Sequence, residues 1–230
     1  MAAGATSAHV IPVKTTAFPL ALPAGSERWR LAALSTAFGA FFYSVYWLAD
    51  YYTGTLTSRH RVDFAFEASI PFLPWMILFY LSITPLLILL PFRFRTTVDA
   101  LPAFATLCSQ VAIAGLVFVV FPAQLGFPET IVSGPAAIPF GAATAVNLTY
   151  NLLPSLHVTF ALSAAAFLTD AGSTAWRTGI RLWSLLIVAS TLLTHQHHLA
   201  DIAAGAILSA VTLRFPYRSV LGRNSANDPR

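Results

Sequence analysis

Long apolar runs alternate with short polar segments along the whole chain. A membrane-spanning helix needs about 20 mostly apolar residues, and six runs meet this requirement, some only when their polar ends are included. The runs are Leu31–Leu48, Ile70–Phe92, Leu101–Phe121, Leu152–Leu168, Gly179–Thr194 and Leu199–Phe215. This pattern predicts an all-α, polytopic membrane protein built as a six-transmembrane-helix bundle.

The segments outside these runs divide the chain into one membrane domain and two tails. Residues 1–27 are small and polar and lack the basic start and apolar run of a signal peptide, so they predict a flexible cytoplasmic tail. Residues 28–215 form the six-span domain, and residues 216–230 form a basic cytoplasmic tail. The segment 122–151 predicts a long Pro- and Gly-rich loop, and the prolines of the second run predict bends in that span.

The composition favours the membrane and argues against several other classes of protein. Of 230 residues, 57% are hydrophobic and only 10% are charged, whereas a soluble domain carries about 25% charged residues. This argues against a cytosolic enzyme, a nucleic-acid-binding domain and a disordered chain. The single cysteine, Cys108, excludes an internal disulfide and a cysteine-based zinc site.

The basic residues predict the orientation. If both termini are cytoplasmic, 11 of the 13 Lys and Arg residues lie inside and only Arg59 and Arg61 lie outside. The inner residues are Lys14, Arg28, Arg30, Arg93, Arg95, Arg177, Arg181, Arg214, Arg218, Arg223 and Arg230. An excess of Lys and Arg in cytoplasmic loops sets the orientation of membrane proteins. The Ala-rich spans and short loops favour a bacterial inner membrane.

Four histidines lie near span ends that the topology brings to the outer face. His157 is about one turn inside the fourth run, while His195, His197 and His198 follow the fifth. The chain enters the membrane through the fourth run and returns through the fifth, so we expect all four at a similar depth. Asp201 follows His197 by four residues, and positions i and i+4 share one face of a helix.

These residue types suit nucleophilic catalysis. A carboxylate at Asp201 could accept the Nδ1–H of His197 and leave its Nε2 free as a nucleophile. His157 could then protonate a leaving group. Ser155 precedes the start of a helix, where free backbone N–H groups can hold an anion.

Two simpler interpretations remain open from the residues alone. Asp201 could merely cap the sixth helix, because Asp is favoured at helix starts. The group formed by His195, His197, His198 and Asp201 could instead bind zinc or another metal.

Two motifs resemble those of the membrane-bound type-2 phosphatidic acid phosphatase superfamily. Pro154-Ser155-Leu156-His157 resembles the family's Pro-Ser-Gly-His motif, and the stretch from Ser190 to Asp201 resembles its Ser-Arg-x5-His-x3-Asp motif. The resemblance covers roughly residues 31–215. It implies a six-span enzyme whose active site faces outward and whose substrate is a lipid phosphate or phospholipid in the bilayer. It implies neither a metal nor another cofactor, and no nucleic acid partner.

The resemblance also implies a role for each residue. His197 would be the nucleophile that forms a phosphohistidine, Asp201 would orient it, and His157 would protonate the departing alkoxide. Water or an acceptor alcohol would then attack the phosphoenzyme. The residues expected to bind the substrate are Ser155, Leu156, Thr191, His195 and His198.

The chain departs from the family pattern where positive charge is expected. The family's first motif, a lysine followed after six residues by Arg-Pro, should lie near the end of the third run, but the sequence has no Lys or Arg between Arg95 and Arg177. Thr191 stands where the other motif has arginine. Stabilising charge on the transferring group is central to phosphoryl transfer, so other groups could replace these cations: Ser155, Thr191, the start of the fourth span, His195, His198, or Arg59 and Arg61 folding over the site.

The same motifs look like those of inositol phosphorylceramide synthase and related lipid phosphotransferases. The resemblance therefore implies either a phosphatase or a phosphotransferase that moves a phosphoryl or phospho-head group to an alcohol. Two other hypotheses remain: a small transporter gated by the histidines, since ionisable residues inside membranes also mark pathways, and an inactive relative that serves as a scaffold.

Overall fold

The computed structural model describes residues 19–128, 130–146 and 149–214, and this part of the chain is mostly helical. The principal helices are α1 (Glu27–Gly54), α2 (Ile77–Leu81), α3 (Ile83–Leu89), α4 (Thr97–Val120), α5 (Ala137–Val146), α6 (Leu156–Leu168), α7 (Thr174–Leu193) and α8 (Leu199–Thr212). Short 3-10 helices cover Ala65–Ser69, Pro74–Met76, Leu90–Arg93 and Gly134–Ala136. Two short strands, β1 (His60–Arg61) and β2 (Ala123–Gln124), form a parallel pair.

Three helical segments in the described residues are long and apolar enough to cross a membrane. They are α1, the composite segment Pro74–Arg93 that contains α2 and α3, and α4. Helices α6 and α8 are apolar but shorter. The predicted mostly helical fold is therefore confirmed, and these three segments are compatible with the membrane protein that the sequence predicts.

Proline breaks the composite segment between α2 and α3. Pro85 is the third residue of α3 and has no N–H to donate to the carbonyl of Leu81, so the helix is interrupted at Ser82. The Nε1–H of Trp183 donates to Ser82 Oγ at 2.8 Å, which ties the break to α7. The predicted bend is thus present.

Small and polar side chains hold α4, α6 and α8 together. Gln110 Nε2 donates to the hydroxyls of Ser163 and Thr212, each at 2.7 Å. A Cβ added at Gly205 would lie 2.5 Å from the carbonyl oxygen of Ser155, so only glycine permits this approach of α8 to the start of α6. Small residues and interhelical hydrogen bonds are the usual means of close helix packing in membranes. Because α6 and α8 pack this closely, their N-terminal ends lie side by side.

Two regions differ from the sequence prediction. The predicted loop 122–151 contains β2 and α5, because the Ala-rich stretch after Gly134 and Pro135 forms a helix that is too short to register as a span. The first described residues of the predicted flexible tail contact the helices: Leu20 packs against the core, and the N–H of Ala21 donates to Phe92 O at 2.9 Å. Residues 1–18 of that tail and the 216–230 tail lie outside the described residues.

Candidate functional site

One end of the molecule, called the site end, gathers the starts of α6 and α8 and the end of α7. The N–H of Ser155 donates to Asp201 O at 3.1 Å, which joins the starts of α6 and α8. The N–H of Leu73 donates to Leu193 O at 2.8 Å, which joins the start of the composite segment to the end of α7. These bonds bring residues far apart in sequence to one place.

His157, His197 and Asp201 lie together at the site end. The ring centroids of His157 and His197 are 6.1 Å apart, close enough for one phosphate group to contact both rings. His197 Nδ1 lies 3.4 Å from Asp201 Oδ2. The Asp201 side chain is fully buried and His197 is 5% exposed. The expected proximity of the two histidines is therefore present.

Asp201 also caps α8, so its carboxylate serves the start of the helix as well as contacting His197. The helix begins at Leu199, and the N–H of His198, the N-cap residue, donates to Asp201 Oδ2 at 2.8 Å. His197 therefore precedes the helix instead of standing on its face, as the i, i+4 spacing had suggested. The same carboxylate oxygen fixes the turn and contacts the imidazole.

Three residues that the sequence predicts to bind the substrate instead form the local backbone structure of the site. They are Ser155, Leu156 and Thr191. Ser155 is the N-cap of α6 and its Oγ accepts the N–H of Val158, while Leu156 is the first residue of the helix. Thr191 O accepts the N–H groups of Gln196 and His197, both at 3.0 Å, and its hydroxyl donates within α7. Thr191 therefore holds the turn of His197 through its backbone.

His195 and His198 enclose the ring of Phe127. Phe127 stacks on His195 at 4.0 Å and on His198 at 4.5 Å between ring centroids. His198 is buried and both of its ring nitrogens have protein partners, Glu67 Oε2 and the N–H of Gly126. His198 therefore does not offer the substrate-binding nitrogen that the sequence predicted.

His195 has an unusual backbone and an altered titration. Its φ is 54°, in the left-handed region that few non-glycine residues adopt, and its Nε2 lies 3.1 Å from Ile70 O. Burial lowers the pKa of His195, the hydrogen bond to Ile70 opposes this, and the nearby His198 lowers the pKa further. His195 is therefore neutral at the pH where an ordinary histidine begins to titrate.

Arg59 and Arg61 are occupied by other groups of the protein. Arg59 donates to the carbonyls of Thr53 and Gly54 at the end of α1, and its guanidinium lies 3.8 Å from the Tyr150 ring centroid. Arg61 forms a two-point ion pair with Asp63 and lowers the pKa of that carboxyl. Neither guanidinium folds over the histidines.

A cavity of about 500 Å³ opens beside His197. Among the described residues, its lining contains no Lys, Arg, Asp or Glu, and its polar groups are neutral hydroxyls, amides and the imidazoles of His195 and His197. The neutral polar residues are Thr130, Thr144, Thr149, Asn151, Thr194 and Gln196. This cavity, called the polar chamber, suits a neutral hydroxylated group or water.

An apolar groove of about 660 Å³ reaches His157 from the other side. It runs along α1 between Leu31 and Tyr46, a length of about 22 Å at 1.5 Å per residue. Its walls are mainly Phe, Leu and Ile side chains of α1, α3, α4 and α6. This lining suits a hydrocarbon chain.

Tyr46 and Tyr80 line both the polar chamber and the apolar groove. The ring of Tyr80 stacks on His157 with centroids 3.9 Å apart. No motif in the sequence marks these residues or Glu67. Only the folded structure identifies them, because each lies in a separate, mostly apolar stretch of the sequence.

Among the described residues, no group of three or more His, Cys, Asp and Glu side chains is placed to hold a metal ion.

Comparison with models of known protein families finds no match, and no curated protein matches the chain. The functional interpretation therefore depends on the geometry of the site and its chemistry.

Proposed function

We propose that this protein is an integral membrane lipid-phosphate phosphatase that works through a phosphohistidine intermediate, in the manner of the type-2 phosphatidic acid phosphatases. The observation that carries the proposal is the group of His157, His197 and Asp201, with imidazole centroids 6.1 Å apart and the carboxylate 3.4 Å from His197 Nδ1. A nucleophile, its orienting acid and a second imidazole are the parts that nucleophilic catalysis with general acid–base assistance requires.

The proposed reaction has two steps. Asp201 accepts the Nδ1–H of His197, and His197 Nε2 attacks phosphorus while the bond to the lipid oxygen breaks and His157 protonates that oxygen. In the second step His157 takes a proton from water, the water oxygen bonds to phosphorus, and the N–P bond of His197 breaks. The products are a lipid alcohol and phosphate, and both histidines return to their starting states.

The apolar groove supports a lipid as the leaving group. His157 lines this groove, whereas His197 lines the polar chamber. A substrate whose hydrocarbon chain lies in the groove would present its ester oxygen to His157 and its phosphorus to His197. This arrangement favours cleavage of the P–O bond on the lipid side of the phosphate.

A lipid phosphotransferase is the second candidate, and the polar chamber favours it. The chamber has room beyond His197, and its described lining is rich in neutral hydrogen-bonding groups and has no Lys or Arg. Such a surface suits the hydroxyls of a head group or of an acceptor alcohol better than it suits a free phosphate anion. The chemistry up to the phosphohistidine is shared, and the second acceptor decides between hydrolysis and transfer.

We propose six membrane crossings, with α6, α7 and α8 adding three to the three long apolar segments. The excess of basic residues at the opposite end supports cytoplasmic termini and an outward-facing site. The setting that we propose is a bacterial inner membrane.

The test is turnover by the purified protein in the presence of a chelator. Phosphatidic acid, a prenyl pyrophosphate and a phosphoinositide are offered separately, with and without an added lipid alcohol. Release of phosphate in water would support the phosphatase, and product formation only with the alcohol would support the transferase. Equal turnover by wild type and a His197→Gln variant would reject both.

A further inference from the structure

Glu67 is a buried carboxylate that reaches the site from the 3-10 helix Ala65–Ser69. It is 1% exposed, although it belongs to the loop between α1 and the composite segment. Its Oε2 lies 2.5 Å from His198 Nδ1, and its Oε1 accepts the N–H of Leu199 at 3.2 Å. A buried carboxylate is unfavourable unless it is paired, so these two contacts account for its position.

The hydrogen bonds define the tautomer of His198. The backbone N–H of Gly126 can only donate, and it points at His198 Nε2 at 2.8 Å. Nε2 is therefore the unprotonated acceptor, and the ring proton resides on Nδ1, where it is donated to Glu67. Partners of this kind fix both the tautomer and the orientation of an imidazole.

This pair is connected directly to the turn that carries the nucleophile. His198 follows His197 in the chain, and its N–H donates to Asp201 Oδ2, the same oxygen that contacts His197 Nδ1. Leu199, which Glu67 also holds, is the first residue of α8. Glu67 thus binds the imidazole of His198 and the backbone N–H of Leu199, the two residues that follow His197.

We infer that Glu67, acting through His198, is a positioning residue for the nucleophile His197. This role rests on the proposed function. Glu67 touches neither the polar chamber nor the apolar groove, so it contributes orientation and not substrate contact. Its loss should reduce the rate of attack at phosphorus while leaving substrate binding nearly unchanged.

Glu67→Gln is the most informative substitution because it preserves shape but not hydrogen-bond roles. A glutamine has one acceptor oxygen, whereas His198 Nδ1–H and the Leu199 N–H both donate to the native carboxylate. One donor must then face the amide NH2 group. We expect kcat to fall about 10- to 100-fold, the range found when a group that orients a functional histidine is lost, with KM within about twofold.

Asp170→Asn is the control. It removes a carboxylate that pairs with Arg93 just beyond the C-terminal end of α6, whereas the turn of His197 lies near the N-terminal end of that helix. Its kcat should equal that of wild type. A fall in kcat as large as that of Glu67→Gln would overturn the specific role of Glu67.

Variants of His198 cover the case in which Glu67→Gln does not fold. His198→Asn keeps a side-chain donor near the position of Nδ1, whereas His198→Leu does not. We expect His198→Asn to retain more of kcat than His198→Leu at equal KM. Equal kcat in these two folded variants would overturn the proposal.

Measuring phosphohistidine formation in wild type and in each variant tests the proposed function and the positioning role of Glu67 separately. If wild type forms no phosphohistidine, the proposed function fails and the role of Glu67 fails with it. If wild type forms it and folded Glu67→Gln forms it as fast, only the positioning role is overturned. Slower formation in Glu67→Gln, with unchanged KM, is the expected result.

Discussion

The two histidines of the site face different surroundings. His197 borders the polar chamber, with neutral hydroxyls and amides, while His157 borders an apolar groove and stacks on Tyr80. Their rings are nevertheless 6.1 Å apart. The difference indicates that the two imidazoles are suited to opposite ends of one substrate, the polar end at His197 and the hydrocarbon end at His157.

Substitution of His197, which borders the polar chamber, should have the largest effect on turnover. His197→Gln removes the proposed nucleophile, so we expect kcat/KM to fall by roughly 10⁴-fold or more, as when an attacking residue is lost from other enzymes. The measurement is turnover of the best lipid substrate by purified variant and wild type at equal folded concentration. Turnover within tenfold of wild type would show that another group attacks phosphorus.

His157→Asn should have a smaller effect that depends on the leaving group. A general acid contributes about 10²- to 10⁴-fold, but an aryl leaving group departs without a proton. We therefore expect the rate of the first step, measured as the initial burst of released alcohol or phenol, to fall greatly with an alkyl lipid phosphate and much less with an aryl phosphate ester. His197→Gln should be equally inactive with both. An equal loss of the first-step rate for both esters in His157→Asn would contradict the role of His157 as the general acid.

Substitutions at two glycines allow the apolar groove and the polar chamber to be filled separately. Gly39 lines the groove, Gly141 lines the polar chamber, and a Cβ at either position would meet no atom within 4 Å. Gly39→Phe should raise KM for a long-chain substrate about tenfold, because about two buried CH2 groups at ~0.8 kcal/mol each are displaced. A short-chain analogue should be unaffected.

Gly141→Phe should give the opposite pattern. It should impair a substrate with a bulky head group or a bulky acceptor alcohol and spare hydrolysis of a simple long-chain phosphate. Gly179→Phe is the control, because a Cβ there also meets no atom and Gly179 lines neither space. If Gly39→Phe and Gly141→Phe had the same substrate profile, the division into two spaces would be wrong.

The smallest expected effect concerns pH and the turn before α8. Burial lowers the pKa of His195, so protonation favours the unfolded chain. The contribution of His195 to stability is complete above the ordinary histidine pKa of about 6.5. It is lost as the pH falls from there toward the lowered pKa of the folded protein.

His195→Asn should remove this pH dependence while tolerating the left-handed backbone. We expect the fall in Tm between about pH 7.5 and pH 5.5 to be smaller in the variant than in wild type. Thermal unfolding in detergent measures it. An unchanged pH slope would show that His195 does not titrate in this range.

The sequence predicted the helical membrane class and the meeting of His157 with His197. Both follow from long apolar runs and from two crossings of the chain, which need no knowledge of packing. The spacing also predicted the contact of Asp201 with His197. It missed that His198, and not His197, caps α8, because a helix boundary depends on which N–H groups the carboxylate binds.

The roles of the neighbouring polar residues could not be read from the sequence. His198 resembles a site histidine in the motif, yet Glu67 and Gly126 take both of its ring nitrogens. Glu67 precedes His198 by 131 residues, so only the folded arrangement of three loops reveals the pair. α5 was likewise missed because it is shorter than a membrane span.

The central claim is tested most directly by trapping the covalent intermediate. Wild type is mixed rapidly with a phosphorus-labelled lipid phosphate, quenched in alkali to preserve phosphohistidine, and mapped by mass spectrometry after proteolysis. We predict label on His197 that forms together with the first equivalent of lipid alcohol and before free phosphate accumulates, is absent in His197→Gln, and persists in His157→Asn because the second step also needs that imidazole. Turnover of the lipid without label on His197, or label on His157 instead, would contradict the account.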